Sequence, residues 1–164
     1  MINVDLKNRE EADEVKFYRI GEAAKELEVS IPTLRMYERE GLVLPMRRGS
    51  MHRRFSENDL ERIRYIRNLI NVEKVSIEGI KHLFALIPCW KMKSCTEEMK
   101  ITCTAFNQHD EPCWMVMPKS MKCSNAECRY CPVYMNIGDS KSLKQLIAGY
   151  TATPVFEFES IPGE

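Results

Sequence analysis

Residues 30–42 read SIPTLRMYEREGL and predict a short helix with a signal at each end. Ser30 is a favourable N-cap residue, and Pro32 is tolerated in the first helical turn. Gly41 ends the helix, because glycine readily adopts the left-handed conformation that follows many helix C-termini. We therefore predict that this helix runs to about Glu40.

The residues that precede this helix predict a second, shorter one. Four apolar residues follow helical spacing: Ile20, Ala23, Ala24 and Leu27. Two short helices joined by a tight turn are typical of a helix-turn-helix, although this pair alone also fits any small helical hairpin.

The residues that follow Gly41 favour the helix-turn-helix. Residues 42–45 are apolar and predict an extended segment, and residues 46–50 predict a basic turn. Residues 52–55 then run back along the chain before the turn, which predicts a small β-ribbon, or wing. Ser56 caps a third helix, with Asp59 at the acidic position of a capping box. The residues of this helix that are predicted to face inward are Leu60, Ile63, Ile66 and Ile70. A fourth helix is predicted to begin at Ser76 and to end at Pro88. Its inward residues are Ile77, Ile80, Phe84 and Ile87.

The net charge of the 164-residue chain hides a basic segment. The chain carries 24 basic and 24 acidic residues, and 44% of its residues are hydrophobic, which excludes a disordered chain. Residues 46–67, however, contain seven arginines and three acids. Arginine suits DNA because its guanidinium keeps its charge and binds phosphate oxygens in a forked geometry. We expect Arg62, Arg64 and Arg67 on a solvated helix face.

The residues that carry these motifs resemble the MerR family of transcription regulators. The resemblance rests on residues 18–24 (YRIGEAA), 33–42 (TLRMYEREGL), 53–60 (RRFSENDL) and 63–66 (IRYI). It covers residues 17 to about 87 and implies a winged helix-turn-helix that binds a palindromic operator in double-stranded DNA as a homodimer. It further implies that the protein distorts the promoter and thereby controls RNA polymerase. The candidate DNA-binding residues are Arg19, Thr33, Arg35, Tyr37, Arg47, Arg48, His52, Arg53 and Arg54.

The sequence departs from the family in two places. Met51 and His52 stand where the family usually has Gly-Tyr before the wing arginines. Pro88 and Cys89 also interrupt the chain where family members usually continue into a long dimerisation helix.

All seven cysteines lie in a single window between Cys89 and Cys131, together with both tryptophans. The window is an imperfect repeat in which Pro-Cys-Trp occurs at residues 88–90 and again at 112–114. This layout resembles the double Cys-Trp domain of some bacterial proteins. Clustered cysteines in a chain without a secretory signal more often hold metal than disulfides. We expect Trp90 and Trp114 to shield the site from water.

Three interpretations of the cysteines compete. The spacing of Cys123, Cys128 and Cys131 with a fourth cysteine elsewhere favours an iron–sulfur cluster. Zinc is the second interpretation, since seven cysteines and His109 fill two four-ligand sites, although His109 is also expected in an exposed loop. Thiols without metal, which form a switchable disulfide, are the third. The candidate metal ligands are Cys123, Cys128 and Cys131, then Cys113 or Cys103 as the fourth, with Cys95 and Cys89 in the same module.

These observations predict a mainly α protein: a winged helix-turn-helix N-terminal domain followed by a small, Cys-rich, metal-stabilised and irregular α+β module. The predicted segments are a flexible tail at 1–16, the DNA-binding domain at 17–88, the cysteine module at 89–135, and a short helix with a strand-like tail at 136–164. The helix is expected at residues 139–148 and the strand at 155–159. We expect a cytoplasmic, nucleoid-associated regulator with no membrane partner, and not an enzyme, because no nucleophile, base and orienting group occur at recognisable spacing.

Overall fold

The structure is a computed structural model that describes residues 16–48, 52–119, 123, 127–138, 144–145 and 147–149. The predicted tail up to residue 15 and the predicted strand at 155–159 lie outside these residues, as does the side chain of Arg48. The chain forms two compact units, Met1–Ile66 and Arg67–Glu164. None of the described helices is long and apolar enough to cross a lipid bilayer.

The first unit combines helices with a small antiparallel sheet. Strand β1 (Phe17–Arg19) leads into α1 (Ile20–Glu26) and α2 (Ile31–Arg39), followed by β2 (Met46–Arg48) and β3 (His52–Ser56). The next helix, α3 (Glu57–Asn71), belongs to this unit up to Ile66. The strand order is β1-β3-β2. The helix-turn-helix and its β-ribbon are confirmed. Strand β1 was not predicted, because three residues are too few to show a period and their pairing partner lies far along the chain.

Local hydrogen bonds fix the helix ends where the sequence predicts them. The Ser30 side chain accepts a hydrogen bond from the Thr33 backbone N–H at 3.2 Å, and Gly41 has a φ of 69°. At the start of α3 the Ser56 backbone N–H donates to Asp59 Oδ2 at 2.7 Å, and the Asp59 N–H donates to Ser56 Oγ at 3.3 Å. The capping box is therefore confirmed, with aspartate as its acid.

One expectation about α3 is wrong. Arg62 was expected on a solvated face with Arg64 and Arg67, but Arg62 is fully buried, as is Asp59 one turn earlier. The two positions lie on the face that also carries Ile63 and Ile66, so helical geometry turns them inward with the apolar residues. Arg64 follows the expectation: it is exposed and forms ion pairs with Glu26 and Glu57.

Tyr18 and Glu57 join β1 to the start of α3 and give a pH-dependent prediction. The Tyr18 hydroxyl donates to Glu57 Oε2 at 2.7 Å, and this hydrogen bond lowers the pKa of Glu57. The stabilisation is present above the carboxyl's unfolded pKa and is lost as the pH falls through its folded pKa. We expect Tyr18→Phe to raise the pKa of Glu57, measured by carboxyl NMR titration; an unchanged titration would show that the hydroxyl does not act on Glu57.

The second unit is a set of short helices. They are α4 (Ile77–Ala85), α5 (Cys89–Met92), α6 (Glu97–Ile101), α7 (Thr104–Asn107), a 3₁₀ turn (Cys128–Tyr130) and α8 (Pro132–Met135). No strand occurs among the described residues after Ser56. The described residues between 144 and 149 are helical and lie mostly within the helix predicted at 139–148.

The fourth helix begins at its predicted cap and gives a stability prediction. The Ser76 side chain accepts a hydrogen bond from the Gly79 backbone N–H at 3.0 Å. We expect Ser76→Ala to lower the free energy of unfolding by about 1 kcal/mol, because one N–H of the first turn loses its acceptor. Ser76→Asp, which keeps an acceptor, is the control for chemical denaturation, and equal losses in the two variants would contradict the capping role.

Aromatic side chains form much of the core of the second unit. The ring centroids of Trp114 and Phe84 lie 6.0 Å apart, and the Trp114 ring meets Tyr134 edge-on at 5.3 Å. Trp90 packs edge-on against Phe106 at 5.2 Å. These contacts join α4, the loop at 108–114, and α8 around one apolar centre, as aromatic pairs of this geometry do.

Polar contacts also hold the 108–114 loop against α4. Lys81 Nζ lies 2.5 Å from Glu111 Oε1, and His82 Nε2 lies 3.3 Å from Asp110 Oδ1. Within the loop, Gln108 Oε1 accepts hydrogen bonds from the backbone N–H groups of Asp110 and Glu111. The loop that leads to Cys113 is therefore fixed to α4 from outside and braced from within.

Candidate functional sites

An arginine-lined cleft lies in the first unit. It has a volume of about 670 Å³ and is lined by Arg19, Ile20, Gly21, Glu22, Arg35, His52, Arg53 and Arg54. Five of these residues were predicted to contact DNA, and they come from β1, α2 and β3. The sheet brings two of them together, because Arg19 pairs with Arg54 across β1 and β3. Strand β1, which the sequence did not predict, therefore contributes to the cleft.

Glu38 divides the arginines into two groups. Its carboxylate accepts a hydrogen bond from Arg47 Nη2 at 2.9 Å and another from Arg53 Nε. Glu38 thereby fixes both ribbon strands to α2 and offsets part of their charge. Within the described residues, Arg19, Arg35 and Arg54 have no carboxylate at salt-bridge distance. These three arginines form what we call the open triad.

Glu22 is an acidic residue of the cleft that the pattern of basic side chains does not indicate. Its carboxylate accepts a hydrogen bond from the backbone N–H of Arg19 at 2.6 Å, which caps α1. The spacing of a carboxylate three residues after a helix start is the signal that could have found it. Glu22 places one negative charge beside the open triad.

Three other predicted DNA-binding residues have different surroundings from those expected. The Thr33 hydroxyl lies 2.8 Å from Ser30 Oγ, so it takes part in the cap of α2. Tyr37 is a core residue with only 5% of its surface exposed, and the expected phosphate contact through its hydroxyl stays a prediction. Arg47 has an exposed side chain that is paired with Glu38.

The second unit contains a cavity that gathers the whole cysteine set. All seven cysteines line this narrow space of about 40 Å³, namely Cys89, Cys95, Cys103, Cys113, Cys123, Cys128 and Cys131. Trp90, Phe106, Trp114 and Tyr134 complete much of its wall, as expected for the two tryptophans. Three lysines also reach the wall: Lys93, Lys100 and Lys119. We call this space the cysteine cavity.

Two hydrogen bonds involve the sulfur atoms of the cysteine cavity. The Cys113 thiol hydrogen-bonds to Cys89, which lowers the pKa of Cys89. The same contact, with burial and the nearby Cys131 and Cys128, raises the pKa of Cys113. Lys119 Nζ donates a hydrogen bond to Cys128 Sγ at 3.0 Å.

The donor set of the cysteine cavity fits a thiophilic metal. Thiolates are the ligands of zinc and of iron–sulfur clusters, and apolar walls exclude competing water. Among the residues that the structure describes, no three histidine, cysteine or acidic side chains yet surround a single point as metal ligands do. His109 is exposed and is absent from the cavity wall, which argues against a shell of three cysteines and this histidine.

Part of the chain is similar to a known protein family. Residues 18–86 match the family model described as MerR HTH family regulatory protein. Over 76 residues the chain is 40% identical to the HTH-type transcriptional regulator HmrR of Sinorhizobium medicae, a match that covers 46% of this chain and 49% of that protein. Over 69 residues it is 38% identical to a ZntR homolog of Haemophilus influenzae, covering 42% and 50% of the two chains.

A longer match involves a second Haemophilus influenzae protein, a probable heavy metal-dependent transcriptional regulator. It is 40% identical over 84 residues, which cover 51% of this chain and 64% of that protein. The chain thus spans about half to two thirds of the length of these relatives. No solved structure matches the chain significantly. Residues 18–86 are therefore similar to the MerR helix-turn-helix, and the similar proteins are named as transcriptional regulators.

Proposed function

We propose that this protein is a promoter-binding transcription regulator whose cysteine cavity senses a metal ion or the redox state. The observation that carries the first half is the open triad, in which Arg19, Arg35 and Arg54 converge from three elements on one cleft. The cysteine cavity carries the second half. The relatives named for heavy-metal dependence support a metal signal in particular.

The open triad suits the DNA backbone. Guanidinium groups form paired hydrogen bonds to phosphate, and three of them in one cleft meet the spaced charges of a duplex strand. Arg35 lies on the exposed face of α2, the second helix of the helix-turn-helix, which reads the major groove in this motif. The ribbon, fixed to α2 by Glu38, contacts the adjacent backbone in this proposal.

The regulatory step is a coupling between the cysteine cavity and DNA. We propose a homodimer on a palindromic operator, at which a change in the cavity alters promoter geometry for RNA polymerase. A bound metal group would supply the conformational preference, because a ligand shifts an equilibrium only as far as it binds the two states differently. The loop at 108–114 and α4 would be the first elements to respond, since Cys113 lies in the loop and Glu111 is paired with Lys81.

The test uses the purified full-length chain and a duplex selected from a random-sequence library. We expect saturable, sequence-specific binding that weakens with salt in proportion to the phosphates contacted. Binding measured by fluorescence anisotropy between 50 and 200 mM salt should fall by at least about tenfold. A chain that selects no sequence, or binds without a salt dependence, would refute the DNA-binding role.

A purely structural zinc site is the second candidate for the cysteine cavity, because the cavity also anchors the aromatic core of its unit. Metal removal separates the two candidates. In the sensing proposal, removal changes transcription from the selected operator while the circular dichroism of the protein is kept. In the structural alternative, folding and transcription are lost together. A thiol redox or electron-transfer protein is the less favoured third candidate, and turnover with a reductant would support it.

A further inference from the structure

A Cys-x-x-Cys turn opens helix α8. Cys128 is the first residue of the 3₁₀ turn, Cys131 is the N-cap of α8, and the Cys131 backbone N–H donates to the Cys128 carbonyl at 3.0 Å. Both cysteines also line the cysteine cavity. Two cysteines separated by two residues in a turn can reach one metal ion, which makes this turn the natural half of a four-ligand site.

Packing brings two further cysteines to the same turn. Helix α5, whose first residue is Cys89, contacts α8 directly. Cys113 precedes Trp114, whose ring packs edge-on against Tyr134 of α8 at 5.3 Å. The cysteines at the two Pro-Cys-Trp positions of the repeat therefore both lie beside α8, although 23 residues lie between them in the chain.

We propose that Cys89, Cys113, Cys128 and Cys131 form one four-thiolate metal site. The assignment replaces Cys123, which spacing alone favoured, with Cys89. All four cysteines line the cysteine cavity, and the contacts of α5 and of Trp114 with α8 support the grouping. Cys95, Cys103 and Cys123 then belong to the wall of the cavity. The regulatory meaning of the site rests on the proposed function, whereas its ligand set does not.

The surroundings suit the charge of such a site. Four thiolates around a divalent ion carry a net charge of about −2, and zinc–sulfur bonds are about 2.3 Å long. Lys119 already donates to Cys128 Sγ, so one positive charge lies against a proposed ligand. Binding would draw the four sulfur atoms inward and pull the Cys113 loop toward α8.

The first experiment measures metal in the full chain purified without oxygen. Zinc, iron and acid-labile sulfide are determined, with visible absorption, before and after reconstitution with Zn²⁺ or with Fe²⁺ and sulfide. Stoichiometric zinc identifies a single ion, and iron with sulfide identifies a cluster; either supports the four-thiolate site. A chain that binds neither under any of these conditions overturns the site.

Matched variants test which cysteines are ligands. We expect Cys89→Ser and Cys113→Ser each to lower metal content at least tenfold, while Cys95→Ser and Cys123→Ser keep it. Retained metal in Cys89→Ser, or lost metal in Cys123→Ser, overturns the assignment. These outcomes require no transcription assay.

A second measurement covers the case in which a variant fails to fold. The metal-loaded unmodified chain is alkylated under native conditions, and mass spectrometry identifies the labelled cysteines. We expect Cys89, Cys113, Cys128 and Cys131 to be protected, and Cys95 and Cys123 to react. The opposite pattern refutes the site. If the four cysteines are protected but the protein binds no duplex, the metal site stands and the proposed function is refuted. If the protein binds a duplex but the four cysteines react, the metal site is refuted and the DNA-binding role stands.

Discussion

Arg35→Ala combined with Arg54→Ala is expected to weaken binding to the selected duplex by about a hundredfold or more at a fixed salt concentration, since each arginine contact with DNA contributes about 1–3 kcal/mol. Both residues belong to the open triad and come from different elements, α2 and β3. The slope of log affinity against log salt should decrease by about two, because two phosphate contacts release fewer counterions.

The control for this loss removes the same charge elsewhere in the first unit. Lys25→Ala combined with Arg64→Ala changes two exposed residues of α1 and α3 that do not line the cleft. We expect this double variant to change the affinity for the duplex by less than about fivefold, because it alters only the long-range electrostatic field of the protein. Equal losses in the two double variants would show that net charge, and not the cleft, determines binding. Circular dichroism checks that each variant is folded.

Trp114→Ala is expected to produce the largest loss of stability, about 3–5 kcal/mol for the second unit. Trp114 is only 7% exposed and contacts both Phe84 and Tyr134, so alanine leaves a cavity between α4 and α8. The loss should appear as faster amide hydrogen exchange in α4 and α8. Exchange in α1 and α2 is expected to stay unchanged, since these helices belong to the first unit.

The control for Trp114→Ala is an apolar residue that is not buried. Ile101 is 74% exposed in the same unit, and Ile101→Ala is expected to change stability by no more than about 0.5 kcal/mol. Trp114→Phe should recover part of the loss, because an aromatic ring is kept between Phe84 and Tyr134. If hydrogen exchange in α4 and α8 is the same in Trp114→Ala as in the unmodified chain, Trp114 does not hold the two helices together.

The features that the sequence predicts correctly are those that depend on neighbouring residues. The caps at Ser30, Ser56 and Ser76 all lie where local patterns place them, because a cap joins atoms within three or four residues. Hydrophobic spacing likewise predicts the inward residues of α4, of which Ile80 and Phe84 are buried. The MerR resemblance adds the DNA-contact roles of the arginines.

The features that the sequence does not predict depend on distant contacts. Strand β1 exists through its pairing with β3, 35 or more positions away, and no local period marks it. Arg62 is buried although arginine is usually exposed, because the fold fixes the face of α3 on which it lies. Spacing likewise favoured Cys123 over Cys89 as a candidate ligand, since only packing shows that α5 reaches α8.

Glu38 also limits how this protein can change by mutation. One carboxylate binds an arginine from each strand of the ribbon. The effect of a substitution at position 38, 47 or 53 therefore depends on which residues occupy the other two positions. Loss of the acid alone would leave two cations close together without their shared counterion, whereas loss of one arginine alone leaves a complete pair. We therefore expect related sequences that lack an acid at position 38 to lack at least one of the two arginines, with arginine loss as the earlier step along such lineages.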